Sequence, residues 1–322
     1  MLSILLISYL IITINSLSID FIENDVNNSI EKILLINDNL FIGTINSLSR
    51  LSSQTLNQTK NSRFFQINYH WKILLSIDNK NLLLCGTISQ GLCQLIDQDF
   101  NLIINSSLPI VANDPINSTV GLIIPEKNLI YLGVTYTNDG MYRWRIPNIS
   151  GRSLNISRFM KILSANDDDD GISRDDLSLR FMPRQQTTFI VQYIYAFYTK
   201  NYIYFLTNQP NDIEQTNFQS KIVRFCRHTS NSIIRTYSEI PLICVNSDWI
   251  LKTAEVIDEE ILIGHFTRKD GTGGTNICSW NIRNDINKAF EDNYRMCYSM
   301  GIGQRGLAFI KPNEPCRRDD VY

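Results

Sequence analysis

The sequence predicts an all-β fold made of repeated antiparallel units, on three observations. Strand–turn–strand units recur along the chain, few stretches carry helical periodicity, and Gly or polar turns punctuate the apolar runs. The repeat spacing of roughly 40 to 60 residues favours a β-propeller, whose radial blades are four-stranded antiparallel sheets. A pair of packed β-sandwiches is the competing architecture.

The units follow in order. Residues 33–36 are an apolar run, Asn37, Asp38 and Asn39 a turn, and residues 40–45 a second strand. The layout returns at 73–77 and 82–85, then at 122–124 and 129–135 with Pro125, Glu126, Lys127 and Asn128 as the turn. A fourth unit places strands at 189–197 and 202–207 around Thr199, Lys200 and Asn201, and "VIDEEILIGHF" is a fifth. The clearest exception is residues 281–297, where Ile282, Ile286, Ala289 and Phe290 fall at helical spacing.

Within the second unit, "LLLCGTISQGLCQL" at 82–95 sets Cys85 and Cys93 eight positions apart, in two short strands around a Gly-bounded loop. If they face each other across the ladder, their separation suits a disulfide. Zinc would need a second Cys or His pair, and His70, His228 and His265 are scattered singly. Two unpaired buried thiols are the remaining alternative.

The N-terminus supports an oxidising compartment. Residues 2–14 are dominated by Leu and Ile, and Ser16 and Ser18 are small enough to flank a cleavage point. Residues 1–18 therefore read as a secretory signal peptide and 19–322 as the mature chain, although the run lacks a basic flank. A buried or anchoring segment is the other reading. Glycosylation acceptors agree with secretion: Asn27, Asn57, Asn105, Asn117, Asn148 and Asn155 each begin an N-x-[ST] triplet without proline. In a chain rich in Asn and Ser, such triplets also arise by chance.

Composition narrows the function. The 322 residues are 43% hydrophobic and 19% charged, ordinary for a globular protein, and the net charge of -2 argues against nucleic acid or anionic membrane as a partner. Seven cysteines, an odd number, leave one thiol without an intrachain partner.

Six stretches carry a resemblance. "FIGTINSLSRLSS", "LLLCGTISQGLCQL", "IPNISGRSLN", "YIYFLTNQP", "SKIVRFCRHTSNSIIRTYSEIPLIC" and "ICSWNIRNDINKAFEDNYRMCYSMGIGQRG" look, in that order, like landmarks of the N-terminal sema domain of plexins, the cell-surface receptors for semaphorins. Semaphorins share the fold, but the FLTxQP strand and the CGxxxQGxC hairpin look like the plexin version. The resemblance covers essentially the whole mature chain. It implies a sema-type seven-bladed β-propeller, of which the first four to five blades fall within this chain.

The family's cysteine framework then implies pairs Cys85 with Cys93, Cys244 with Cys278, and Cys297 with Cys316. Cys226 matches a cysteine whose family partner lies further downstream, beyond Tyr322. A family pair just upstream of the hairpin has no counterpart, since "NSRFFQINYHWK" contains no cysteine. In plexins about two further blades follow, then cysteine-rich, Ig-like, transmembrane and GTPase-activating regions. The expectation from this chain is an open arc that folds poorly or associates when expressed alone.

Chemical motifs carry little. "GIGQRG" at 301–306 fits G-x-G-x-x-G, but "LAFIKPNEPC" follows it where a dinucleotide site requires a helix. "NDDDDGISRDDL" offers Asn166, Asp168, Asp170 and Gly171 at calcium-loop offsets, but Leu177 stands where a bidentate Glu is required, so a solvated acidic loop is expected. "DGTGGT" at 270–275 lacks a P-loop lysine and reads as a turn. No recognisable triad pattern, metal site or cofactor motif is present, so the expectation is a protein without catalysis of its own.

The resemblance implies a semaphorin receptor ectodomain fragment that binds another sema propeller edge to edge and has scope for receptor homo-association. It would sit on the extracellular side of the plasma membrane, with membrane attachment only through a region this chain lacks. A secreted decoy without signalling and a semaphorin-like ligand are the alternatives. Arg and Trp in "MYRWRIP" at 141–147 are candidate anchors by composition, against the plainer reading that Trp144 packs beneath a blade.

Overall fold

The computed structural model describes residues 30–55, 58–65, 68–137, 140, 146–163, 177–181, 183–210, 217–228 and 233–297. The signal-peptide reading at 1–18, Asn27, Asn57, the 141–145 part of the proposed anchor, the acidic residues 164–176, the glycine motif at 301–306 and Cys316 lie outside them.

Five antiparallel sheets follow one another along the chain, each a simple meander. Blade 1 is β1 (Ile30–Ile36), β2 (Asn39–Thr44), β3 (Ser47–Ser52) and β4 (Gln58–Phe64). Blade 2 is β5 (Trp71–Ser76), β6 (Asn81–Gly86), β7 (Cys93–Asp97) and β8 (Leu102–Asn105). Blade 3 is β9 (Thr119–Ile124), β10 (Leu129–Val134), β11 (Ile149–Ser153) and β12 (Ser178–Leu179). Blade 4 is β13 (Gln192–Tyr198), β14 (Tyr202–Pro210), β15 (Phe218–Cys226) and β16 (Ser238–Pro241). Blade 5 shows β17 (Trp249–Ile257), β18 (Ile261–Arg268) and β19 (Thr275–Asn281).

First strands pack on one another in the order β1, β5, β9, β13, β17, which makes the arrangement a five-blade β-propeller arc. The five strand–turn–strand units of the sequence are the first two strands of each blade. Their tight turns use residues that tolerate positive φ, including Asn37 (52°) and Asn128 (51°). In blade 2 the Asp78 carboxylate accepts from the Lys80 and Asn81 backbone N–H groups at 2.8 and 2.6 Å. Burial alone would raise its pKa, but these hydrogen bonds outweigh that and hold it below the usual carboxylate range.

Alternation explains the unbroken apolar runs. On β6, Leu82 and Leu84 point to a cluster with Phe41, Leu48 and Trp71 of the blade 1–2 interface. Leu83 and Cys85 point the other way, toward Ile130, Leu132 and Val134 of blade 3. The same division recurs in blade 4, where Ile203 and Phe205 meet blade 3 and Tyr204 and Leu206 meet blade 5. A strand buried on both faces has no polar side to show, so it reads as a continuous run.

The outer faces of the end blades are different. Ile33 and Leu35 on β1 are 41% and 52% exposed, and Ile277 on β19 is 74% exposed. After β19, a wide-wound helical turn at Ile282–Asn287 runs into a helix at Lys288–Arg295, with Ile282, Ile286 and Phe290 buried as the periodicity predicts but Ala289, the fourth residue of that pattern, exposed. The Asn281 side chain caps it by accepting from the Asn284 N–H. Among the described residues no helix is long and apolar enough to cross a membrane.

Candidate functional site

Several sequence landmarks supply ties, some within a blade and some between one blade and the next. In the blade 2 hairpin, Cys85 and Cys93 stand opposite each other on β6 and β7 with Cα atoms 4.2 Å apart, and a disulfide joins them. Both glycines of the motif have steric reasons. A Cβ on Gly86 would come within 2.3 Å of the Tyr69 ring, and one on Gly91 (φ 101°) within 2.3 Å of the Val111 carbonyl oxygen. That close approach lets Gly91 O accept from the Ile110 and Val111 N–H groups at 2.8 and 3.1 Å, closing the hairpin onto the segment entering blade 3.

On β14 the polar part of "FLTNQP" is buried and spent internally. Asn208 Nδ2 donates to Leu251 O at 2.8 Å, and Ser220 Oγ donates to Asn208 Oδ1 at 2.8 Å while accepting from Leu251 N–H at 2.8 Å. Two of these bonds join blade 4 to β17, and the third couples them across β14 and β15. Gln209 Nε2 donates to both Glu239 oxygens at 3.1 Å, and the same carboxylate accepts from Lys221 Nζ at 2.7 Å and Tyr237 Oη at 2.6 Å. Burial first, and the Glu239 charge second, push the Tyr237 hydroxyl well above its ordinary range.

Arg224 of "IVRFC" sits between Tyr202 and Phe290, its guanidinium carbon 4.2 Å from each ring centroid. It also donates to Asn287 Oδ1 at 3.2 Å, an oxygen that accepts from Tyr204 Oη at 2.6 Å. The helical segment after β19 is thereby clamped to blade 4. Cys244 and Cys278 form a second disulfide, across 34 residues, linking the strand region after blade 4 to β19. Cys297 is also disulfide-bonded, and Cys226 carries a free, half-buried thiol.

Acceptor asparagines occupy different surroundings. Asn105 and Asn155 are exposed, and Asn117 is half-buried with Nδ2 donating to Asp114 at 2.6 Å. Asn148 is only 3% exposed, and its Oδ1 accepts from the Phe181 N–H at 3.0 Å. A glycan on that amide would not fit the folded chain.

The polar cluster between blades 1 and 2 acts as a brace. His70 Nδ1 lies 2.6 Å from Glu31, whose other oxygen accepts from the Trp71 N–H at 2.7 Å, a brace between β1 and β5. Among the described residues no group of three His, Cys, Asp or Glu side chains is placed to hold a metal ion. Residues 270–275 form an exposed turn with Gly271, Gly273 and Gly274 at positive φ. Sequence reasoning missed the Asn208–Ser220–Leu251 link and the Arg224 clamp. Their only signal was polar residues set inside otherwise apolar landmark strands.

No family model matches the sequence. Plexin-2 of Caenorhabditis briggsae is 23% identical over 286 residues, covering 88% of this chain and 15% of the relative. Among solved structures, the full extracellular region of plexin A4 superposes with a TM-score of 0.70 at 20% identity, over 92% of this chain and 39% of that one. The chain is plexin-like in sequence and has a sema-type propeller fold. Drosophila Semaphorin 1a, extracellular domains 1-2, superposes less closely, with a TM-score of 0.55 at 13% identity over 92% of this chain and 62% of that one. A structure of Drosophila Plexin A in complex with Semaphorin 1b matches at 0.51 and 13% identity, over 82% of this chain and 53% of that one. The plexin-like chain spans about one seventh of its curated relative's length, the 15% given above.

Proposed function

We propose that this chain is the sema-type part of a plexin-like receptor ectodomain and binds semaphorins edge to edge through its propeller, without catalysis of its own. The observation that carries the proposal is the plexin A4 likeness over 92% of the chain, closer than the semaphorin likeness over the same share. The blade ties agree with it. Landmark polar residues are consumed internally, Asn208 in holding blade 4 to blade 5 and Gln209 in bonding across blade 4, which leaves recognition to loops and strands at the blade edges.

The same reading places the protein outside the cell. Glycans would be carried on exposed Asn105 and Asn155, and Cys297 would pair with Cys316. Immobilised semaphorin and plexin ectodomains, offered separately as bait to the purified chain, test the proposal. Capture by semaphorins supports it, and capture by plexins alone overturns it in favour of a semaphorin-like ligand.

A further inference from the structure

A groove of about 580 Å³ opens between blades 2 and 3, and its lining is cationic. Arg152, Lys161 and Arg180 contribute to it, and among the described residues that line it none is Asp or Glu. Arg152 belongs to the middle of β11, in register with Ile130 on one side and bridged to Ile162 on the other. It is 5% exposed. Its Nε donates to Ser150 Oγ at 2.9 Å and its Nη1 to Met160 O at 2.8 Å, both neutral acceptors.

A guanidinium carries five N–H donors, and burying one beside neutral acceptors leaves its charge uncompensated. Burial, and then the nearby Arg180, pull the Arg152 pKa down to about 9. A hydrophobic core position would have been simpler to fill with Leu or Met. Lys161 and Arg180 are exposed and add positive charge at the mouth. The wall opposite β11 comes from residues 106–110, where Leu108 is 46% exposed and Ser106 is held by the Cys93 N–H and the Leu108 carbonyl. Phe159 completes an apolar flank.

We propose that this groove is an oxyanion site, in which Arg152 is the buried anchor and Lys161 and Arg180 close over a sulfate or phosphate group. Guanidinium geometry suits such a group, with two parallel N–H donors meeting two oxygens. The groove is larger than a bare ion, and Leu108 and Phe159 give the body that carries the group an apolar surface.

Titration calorimetry on the full chain tests this, with sodium sulfate, sodium phosphate and a sulfated disaccharide, each at ionic strength fixed with chloride. Saturable one-to-one binding is expected. The surface double variant Lys161→Gln with Arg180→Gln, which leaves the core intact, weakens it by about tenfold or more, and Arg152→Met removes it. A disaccharide that binds about tenfold tighter than the ions assigns the group to a carbohydrate, and equal affinities assign the site to the free ion. Absence of saturable heat with all three probes, or unchanged affinity in the surface double variant, overturns the proposal.

Discussion

The Arg224 guanidinium lies 4.2 Å from the centroid of the Phe290 ring, although 66 positions separate the two residues. One belongs to β15 and the other to the helix that follows blade 5, so this contact ties the terminal described element back to blade 4. Phe290 is fully buried, and Phe290→Ala is expected to cost about 3–5 kcal/mol by cavity formation. A double-mutant cycle with Arg224→Met, followed by urea unfolding, should give a coupling of about 1–2 kcal/mol. Additive effects would mean that the ring and the cation merely share a site.

The hairpin glycines should be intolerant of even a methyl group. Gly91→Ala meets both a left-handed backbone and the Val111 carbonyl, and is expected to lose at least about 1–3 kcal/mol. Gly273, which has positive φ but open space around its Cβ position, is the control. Secreted yield and melting temperature of the two variants should separate clearly, and equal behaviour would contradict the steric account.

The Cys85–Cys93 and Cys244–Cys278 disulfides close loops of different length, with separations of 8 and 34 residues. Chain entropy predicts about 2.5 kcal/mol for Cys85–Cys93 and about 3.8 kcal/mol for Cys244–Cys278. Replacing each pair by serine and comparing denaturant midpoints checks the order. The longer loop should lose more.

Stability should fall at alkaline pH. Burial raises the hydroxyl pKa of Tyr69, Tyr193, Tyr204 and Tyr237, and pushes Tyr131 up to about 12. A group raised in the folded state contributes stability that is intact below its unfolded pKa and lost as pH climbs toward the folded value. The loss therefore begins near pH 10 and amounts to about 1.4 kcal/mol per pH unit for each tyrosine still protonated in the fold. Unfolding at pH 8 and pH 11 measures it, and a flat profile would mean these hydroxyls reach solvent.

Exposed Ile33 and Leu35 form an apolar stripe on the outer face of blade 1. The chain in isolation is expected to associate, and Ile33→Lys with Leu35→Lys to reduce that association. Light scattering after size exclusion reads the mass directly.

Strands β6, β10 and β14 were legible because strands buried on both faces appear as unbroken apolar runs. Outer strands were harder to see for the opposite reason. β4 is the polar sequence QTKNSRF, β12 is only two residues, and β16 ends in Pro241. Edge strands bury little, so they carry no strong pattern. Cys85 and Cys93 could be placed face to face from a local hairpin. The Asn208 link to Leu251 spans 43 positions and the Arg224 clamp more, and no local periodicity marks such contacts. The buried Asn148 shows the converse problem, since a triplet that reads as a glycan acceptor does not reveal that the fold encloses it.

The central claim is recognition of semaphorins by a plexin-like propeller. A competition titration tests it most directly: a semaphorin ectodomain bound to immobilised full-length plexin ectodomain, challenged with increasing amounts of this chain shown to be folded by circular dichroism. The account predicts saturable displacement of the semaphorin. Folded chain that leaves the semaphorin bound at every concentration, while itself attaching to the plexin, would contradict it.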